Sequence, residues 1–238
     1  MPLMCKPQIR KHSTATPGEE GAIWAVHHGG FTDPLLLLYA ASKLGVQPRL
    51  MGSANFFKFP VIGSLLRAAG HIPIAFAEQN SAQVDLSQTD VKAVLYTAIE
   101  AVRAGETLAG YPAARITRRP GLAPERVRSG FPRVAAASGA TVYPLSSLGA
   151  HDVVSYDQNF RAAAKKAVRN LATGRRPRAL IYFGEPIRQP GGNFQAVARQ
   201  LEDAMVRDHD FVVRKNPALA RSSDASRPID NSRAIRRP

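Results

Sequence analysis

The sequence predicts a single α/β domain with a mixed, largely parallel sheet flanked by helices. Short apolar blocks that suit buried strands alternate with longer amphipathic blocks that suit helices, and this alternation is typical of α/β folds. No internal repeat interrupts the alternation. The chain has 238 residues, of which 45% are hydrophobic, and this composition can fill one substantial core.

The predicted strands are short apolar runs bounded by glycine, proline or polar residues. The run AIWAV is the clearest, because Gly21 precedes it and the pair Gly29-Gly30 follows shortly after it. The fold class depends on such runs recurring along the chain. In chain order, the predicted strands cover residues 22–26, 48–53, 71–75, 107–111, 140–147 and 179–184.

The predicted helices follow from length, periodicity and end signals. Pro60 opens one helix, and the pair Ser87 and Asp90 opens another, in which apolar residues from Val91 to Val102 share one face before Gly105 ends it. LLLLYAASKL has helical length as well. The remaining predicted helices cover residues 130–138, 160–173 and 194–208.

The chain divides into a short N-terminal segment at residues 1–17, a domain at 18–213, and a basic tail at 214–238. The tail lacks aromatic residues and is rich in Ser, Pro and Arg, so we predict that it is disordered. It carries seven basic residues against two acidic ones, and the segment 111–133 carries six against one. We expect that deleting residues 216–238 weakens membrane binding and leaves turnover unchanged.

The overall charge limits the classes of partner. A net charge of +14 with a pI near 10.6 implies an anionic partner, which is a nucleic acid, a phospholipid surface or a phosphorylated substrate. The longest apolar run, Pro34 to Ala41, is too short to span a bilayer, and the start MPLMCKPQIR lacks the apolar core of a signal peptide. Cys5 is the only cysteine, which excludes an internal disulfide and favours a reducing cytoplasm.

The most informative feature is HHGGFTDP, in which four residues separate His28 from Asp33. The pair falls between a predicted strand and a predicted helix, at the sheet edge where ligands collect in α/β folds. An imidazole there can accept a proton, and a carboxylate can fix its tautomer. The alternative is structural: Asp33 followed by Pro34 is a good helix start, with Asp33 as the N-cap.

The arginine-rich segment after TLAGY is the second signal. It begins at a predicted strand end and runs into a helix after Gly130. Guanidinium groups match phosphate oxygens in a two-pronged geometry, so this segment could bind phosphate. A solvated basic loop is the alternative.

Five blocks in order resemble the glycerolipid acyltransferases of the 1-acyl-glycerol-3-phosphate acyltransferase type. The blocks are HHGGFTDP, NFFKFPVIGSLLRAAGHIPI, GETLAGYPAARITRRPG, ATVYPLSSLG and ALIYFGEPI, and together they cover about residues 18–208. The resemblance implies an α/β sheet flanked by helices. It also implies transfer of a fatty acyl group from a thioester carrier, coenzyme A or acyl carrier protein, to a lysophospholipid hydroxyl, with no cofactor and no metal.

The resemblance assigns roles to individual residues. His28 becomes the general base on the acceptor hydroxyl, and Asp33 orients it and stabilises its charge. Phenylalanines of the second block suit an acyl chain or a membrane surface, although a place in the core is the alternative. The substrate-binding residues implied are Arg115, Thr117, Tyr111, Phe57 and Lys58.

Several positions depart from the family pattern. His27 replaces the usual Asn, and Ala113-Ala114 replace the Glu-Gly of the block F-P-E-G, while a family arginine thought to hold the acceptor phosphate falls on Phe76. The family's N-terminal membrane helices have no counterpart before His28, which implies peripheral contact with the inner face of the membrane.

These departures leave a second function open, that of a weakened relative that binds lysolipid or acyl thioester. A nucleic-acid binder is a distant third, and no nucleic-acid partner is expected, because no recognised binding motif accompanies the charge.

Overall fold

The computed structural model describes residues 1–74, 88–154, 165, 168–188, 190, 192–220 and 227–235. Within these residues, seven strands form one sheet in the order β1-β7-β6-β2-β5-β3-β4. All neighbouring pairs are parallel except β6 and β7, which are antiparallel. The strands are β1 Lys6–Lys11, β2 Ile23–Val26, β3 Arg49–Ser53, β4 Ile72–Ile74, β5 Leu108–Gly110, β6 Val142–Leu148 and β7 Arg178–Phe183. The predicted fold class is confirmed.

Helices cover both faces of this sheet. They are α1 Asp33–Leu44, α2 Pro60–Ala68, α3 Gln88–Arg103, α4 Gly130–Ser138 and the C-terminal helix Phe194–Lys215, and a 3-10 helix at Ala54–Lys58 precedes α2. Each predicted strand and most predicted helices occur within a few residues of their expected bounds. The C-terminal helix is longer than predicted, since it ends at Lys215 and not near residue 208.

Successive residues of β2 point to opposite faces, and each face has its own core. Trp24 packs with α1 on one side, where its ring meets Phe183 edge-on at a centroid distance of 5.0 Å. Ile23 packs on the other side among residues of α3, α4 and the C-terminal helix. All four residues of β2 are buried, which is expected for a central parallel strand covered on both faces.

The N-terminal segment differs from the prediction. Lys6–Lys11 forms β1 and pairs in parallel with β7 at the edge of the sheet, so the residues before 18 contribute a strand to the domain. The sequence KPQIRK contains one apolar residue, and none of the six is buried. An exposed edge strand of this kind lacks the hydrophobic pattern by which a strand is recognised.

The predicted disorder of the tail is wrong for the tail residues that the structure describes. Arg214 and Lys215 belong to the C-terminal helix, Pro217–Leu219 forms a 3-10 turn, and residues 227–235 are hydrogen-bonded to the domain. The contacts are polar and distant in sequence, and composition does not reveal them. Phe76, the start signal at Ser87, half of the helix predicted over 160–173, and residues 221–226 and 236–238 lie outside the described residues.

Candidate active site

His28 and Asp33 form a hydrogen-bonded pair on the turn between β2 and α1. The strand ends at Val26, the turn passes through Gly29 and Gly30, and α1 begins at Asp33. His28 Nδ1 lies 2.9 Å from Asp33 Oδ2. The side chain of His28 is 16% exposed and that of Asp33 is fully buried. The turn therefore presents an accessible imidazole that is supported from behind by a carboxylate.

Asp33 accepts four hydrogen bonds through its two carboxylate oxygens. The backbone N–H groups of Gly29 and Gly30 donate to Oδ2 at 2.6 Å and 2.8 Å, and Ser147 Oγ donates to Oδ1 at 2.6 Å. Burial raises the pKa of Asp33, but the hydrogen bonds from His28, Ser147 and Gly30 outweigh burial and bring the pKa below its ordinary value. The carboxylate is ionised, and it accepts the Nδ1 proton of His28. This tautomer leaves Nε2 as the basic nitrogen.

The structural alternative for Asp33 does not match the helix start. Thr32 occupies the N-cap position of α1 and makes no side-chain capping bond, because its hydroxyl donates to the carbonyl of Ala150 at 2.6 Å. The N–H groups that Asp33 binds precede the helix. Asp33 thus closes the turn around His28 and does not cap α1. Pro34 follows it at the start of α1, as predicted.

Glycine at position 30 permits a close approach within this turn. A Cβ atom built on Gly30 would lie 2.8 Å from the backbone of His151, so a larger residue would force the two segments apart. The same segment supplies the carbonyl of Ala150, to which Thr32 is bonded. The glycine therefore allows the turn to lie against the end of β6, where Ser147 reaches Asp33.

Tyr111 covers one face of the His28 ring. The two rings are stacked with a centroid distance of 3.9 Å and an interplanar angle of 21°. The Tyr111 hydroxyl is buried and has no hydrogen-bond partner among the residues that the structure describes. Burial, and then the charge of Asp33, raise the pKa of Tyr111 well above its ordinary value. The predicted contact residue Tyr111 thus lies directly against the candidate base, with a neutral phenol.

Arg115 is already engaged by two carboxylates. Its Nε and Nη2 donate to Glu125 at 2.5 Å and 3.1 Å, and its Nη1 lies 3.0 Å from Asp230. The side chain of Glu125 is fully buried, so the ion pair between Arg115 and Glu125 is a fixed part of the loop. A phosphate at Arg115 would have to displace Asp230.

The remaining predicted contact residues lie in two places. Thr117 is buried; its N–H donates to the carbonyl of His28 at 2.8 Å and its hydroxyl donates to the carbonyl of Ala123 at 2.7 Å. Phe57 and Lys58 lie in the 3-10 helix that follows β3. β3 is parallel to β5, and β5 is parallel to β2, so this helix stands at the same sheet edge as the dyad turn.

Two groups at the site were not predicted. Ser147 reaches Asp33 from the end of β6, and the signal for it is a polar pair, Ser146-Ser147, inside an otherwise apolar strand next to β2. His27 is the second, and the centroid of its ring lies 5.3 Å from the ring centroid of His209. Burial, followed by the charge of His209, lowers the pKa of His27 to about 3, so His27 is neutral at physiological pH.

Within the part of the chain that the structure describes, no group of three or more His, Cys, Asp or Glu side chains is placed to hold a metal ion. Among the same residues, no helix is long and apolar enough to cross a membrane.

Comparison with known proteins identifies the family. A family model described as Acyltransferase matches residues 8–148. The fold is similar to the crystal structure of the 1-acyl-sn-glycerophosphate (LPA) acyltransferase PlsC from Thermotoga maritima, with a TM-score of 0.59 and 16% identity over 88% of this chain and 73% of that one. No curated protein matches the chain. The family match confirms the resemblance that the five sequence blocks predict, and the chain belongs to the acyltransferase family.

Proposed function

We propose that this protein is an O-acyltransferase that moves a fatty acyl group from an acyl thioester to a hydroxyl of a lysophospholipid or related lipid. One observation carries the proposal: an accessible imidazole whose Nδ1 is bonded to a buried, ionised carboxylate at 2.9 Å, on a turn at the carboxyl end of a central strand. Family membership supports the reaction class. The printed function of PlsC, an LPA acyltransferase, supports the acceptor class.

The pair can perform direct transfer without an acyl-enzyme. Nε2 of His28 takes the proton of the acceptor hydroxyl as its oxygen attacks the thioester carbonyl. The tetrahedral intermediate then expels the thiolate, which receives the proton from the imidazolium, and an ester and a free thiol result. Asp33 stabilises the imidazolium while it exists, because its charge lies 2.9 Å from Nδ1.

The carrier is either coenzyme A or acyl carrier protein, and the reaction needs no cofactor or metal. Tyr111 would keep the His28 ring in place by stacking on it. Phe57 and Lys58 stand at the same sheet edge, and they are suited to the acyl chain and to an anionic group of the substrate. Thr117 would act through its N–H bond to the carbonyl of His28.

A weakened relative that binds lysolipid or acyl thioester is the second candidate. It is favoured by Arg115, which is held by Glu125 and Asp230, and by Ala113, a buried methyl group where the family has a carboxylate. Both features reduce the polar groups that are free to meet an acceptor phosphate.

Peripheral attachment to an anionic membrane fits the region around α2. Large apolar side chains are exposed there, and basic residues lie at the ends of the two helices. We name this surface the docking face; it consists of Phe56, Phe59, Val61, Ile62 and Leu65 with Lys58 and Arg67. Exposed apolar groups beside cations suit the interface of an anionic bilayer, such as the inner face of a cell membrane.

The substitution His28→Ala tests the catalytic assignment. We expect a loss of about 10²–10⁴-fold in kcat for acyl transfer, which is the usual contribution of a positioned general base. The fold should remain intact, and the melting temperature should fall modestly because the buried Asp33 carboxylate loses one of its four donors. His12→Ala is the matched control at a histidine outside the site, and His27→Ala should be milder than His28→Ala.

The assay measures the release of thiol from an acyl thioester in the presence of a lysophosphatidic acceptor. It reports attack on the thioester carbonyl and expulsion of the thiolate together. A folded His28→Ala variant with the turnover of the original chain contradicts the proposal. Tight binding of acyl thioester by the original chain without any turnover favours the weakened relative instead.

A further inference from the structure

The C-terminal residues 227–235, here named the strap, lie against the loop that follows β5. The N–H of Asp230 donates to the carbonyl of Arg118 at 3.1 Å, and the N–H of Arg126 donates to the carbonyl of Arg233 at 3.0 Å. The side chain of Arg233 donates to the carbonyl of Ala113 at 3.1 Å. The strap is therefore joined to the loop by backbone and side-chain contacts along its length.

One residue of the strap reaches the dyad turn itself. Arg227 Nη2 donates to the carbonyl of Gly29 at 3.0 Å, and its Nη1 donates to the carbonyl of Thr117 at 2.9 Å. A guanidinium group is flat and rigid, and its two terminal nitrogens can hold two acceptors at a fixed separation. Arg227 thus links the turn that carries His28 to the loop after β5.

The two carbonyls that Arg227 holds belong to residues that are also hydrogen-bonded to the dyad. The N–H of Gly29 donates to Asp33 Oδ2 at 2.6 Å, and the N–H of Thr117 donates to the carbonyl of His28 at 2.8 Å. Each residue bound by Arg227 therefore makes a second bond to one partner of the dyad. Because Gly29 and Gly30 restrict the backbone little by themselves, the shape of this turn depends on such outside contacts.

We propose that Arg227 is a positioning residue for acyl transfer, which keeps the dyad turn in the shape that brings His28 Nδ1 to Asp33. The proposal rests on the proposed function. It reverses the expectation for the tail, because deleting residues 216–238 removes Arg227 and should lower turnover even on a soluble short-chain acceptor.

The variants Arg227→Gln and Arg227→Lys, with Arg10→Gln as control, test this. Gln lacks the charge and the two terminal nitrogens of the guanidinium group. Lys keeps the charge but cannot hold both carbonyls in one plane. Arg10→Gln removes the same charge from an exposed position on the edge strand β1. We expect kcat to fall on the order of 10-fold to 100-fold for Gln and less for Lys, with KM nearly unchanged, since small displacements of a reacting group have effects of this size.

A direct readout of the turn keeps the two proposals separable. In Arg227→Gln, the NMR resonance of the His28 Nδ1 proton should shift or broaden, while it stays in place in Arg10→Gln. An unchanged resonance together with unchanged kcat overturns the positioning role. The positioning role is also overturned if Arg10→Gln loses kcat to the same extent as Arg227→Gln. It is overturned as well if the loss of kcat in Arg227→Gln accompanies a fall in the melting temperature. If the original chain shows no acyl transfer, the proposed function fails, and the resonance alone decides whether Arg227 positions His28.

Discussion

Asp33 is the residue on which the candidate site depends most. Three of its four hydrogen bonds come from the turn, at His28, Gly29 and Gly30, and the fourth comes from the end of β6, so one carboxylate joins the turn to that strand. An ionised group without exposure is stable only when its acceptor capacity is filled in this way. The four residues between His28 and Asp33 match the family spacing. This spacing lets the turn fold back so that the Asp33 carboxylate reaches the N–H groups of Gly29 and Gly30.

Ala114 is strained where the family has a glycine. Its φ is 61°, in the left-handed region that costs a residue with a side chain about 1–2 kcal/mol. The loop keeps the backbone conformation for which glycine is suited, even though the glycine is absent. This agrees with the alignment of YPAA with the family block F-P-E-G.

We expect Ala114→Gly to stabilise the protein. Relief of strain is partly offset by the greater freedom of glycine in the unfolded chain, so the net gain should be about 1 kcal/mol and the melting temperature should rise by about 2–4 °C. Ala137→Gly, at an exposed position within α4, is the control and should lower the melting temperature. A fall for Ala114→Gly as well would mean that the left-handed conformation is not a source of strain.

At the scale of elements, α2 is a helix with almost nothing buried. Gly63 is its only buried residue, and a Cβ atom there would lie 2.1 Å from the carbonyl oxygen of Phe57. Close backbone contact therefore fixes α2 on the preceding 3-10 helix, while Val61 and Leu65 remain 73% and 66% exposed. A helix of a globular protein normally buries such residues, and their exposure here supports the proposed membrane contact.

The docking face gives a prediction for membrane binding. Val61→Asp and Leu65→Asp should each weaken sedimentation with anionic liposomes, because each places a charge where apolar groups would enter the interface. Val91→Asp, at an exposed apolar position on α3, is the matched control and should bind as the original chain does. Equal binding by all three variants, or equal binding to neutral and anionic liposomes, would count against the docking face.

The elements also show which parts of the fold and site could be predicted from the sequence. β2 is apolar along its whole length, and β6 is apolar except for Ser146 and Ser147, so local pattern identifies both buried strands. The dyad turn could be predicted because its glycines and its spacing are local. β1 and the strap could not, because their contacts are to backbone carbonyls and strand edges far away in the sequence.

At the scale of the whole molecule, part of the positive charge is used within the protein. Arg115 pairs with acidic groups, and Arg119, Arg227 and Arg233 donate to backbone carbonyls of the turn and loop. The net charge of +14 still favours an anionic partner. The arginines of the strap and of the loop, for which the charge predicts an anionic partner, serve in part to hold the candidate site together.

Buried histidines behind the dyad contribute to the response of the fold to acid. Burial is the main cause that lowers the pKa of both His27, to about 3, and His209. Their neighbours are His28, Asp33 and Ser147 for His27, and Asp210 and Arg119 for His209. The unfolded chain binds a proton at His27 below about pH 6.5 and the folded chain does not, so stability is full above this pH and falls as the pH drops.

Asp208 acts in the opposite direction. Burial raises its pKa to about 6, so between its unfolded value near pH 3.8 and pH 6 the folded state binds the extra proton. Its contribution is therefore greatest at low pH and is lost as the pH rises through about 6. Three histidines with lowered pKa values, His27, His71 and His209, oppose two carboxyl groups with raised pKa values, Asp208 and Glu202. We therefore expect a net loss of stability on acidification between pH 6.5 and 5.

His27→Asn tests this balance with the residue that the family usually carries. For one proton, the loss of stability between pH 6.5 and 5 is at most about 2 kcal/mol, which corresponds to about 4–8 °C in melting temperature for a chain of this size. The drop in melting temperature from pH 7 to pH 5 should therefore be smaller in His27→Asn than in the original chain. His12→Asn, at a half-buried position away from the site, controls for the loss of a histidine. Asparagine cannot take up a proton, so His27→Asn removes the proton that the unfolded chain binds at this position. If the melting temperatures of His27→Asn and of the original chain fall equally, the acid sensitivity comes from other groups and the buried imidazole of His27 contributes nothing to it.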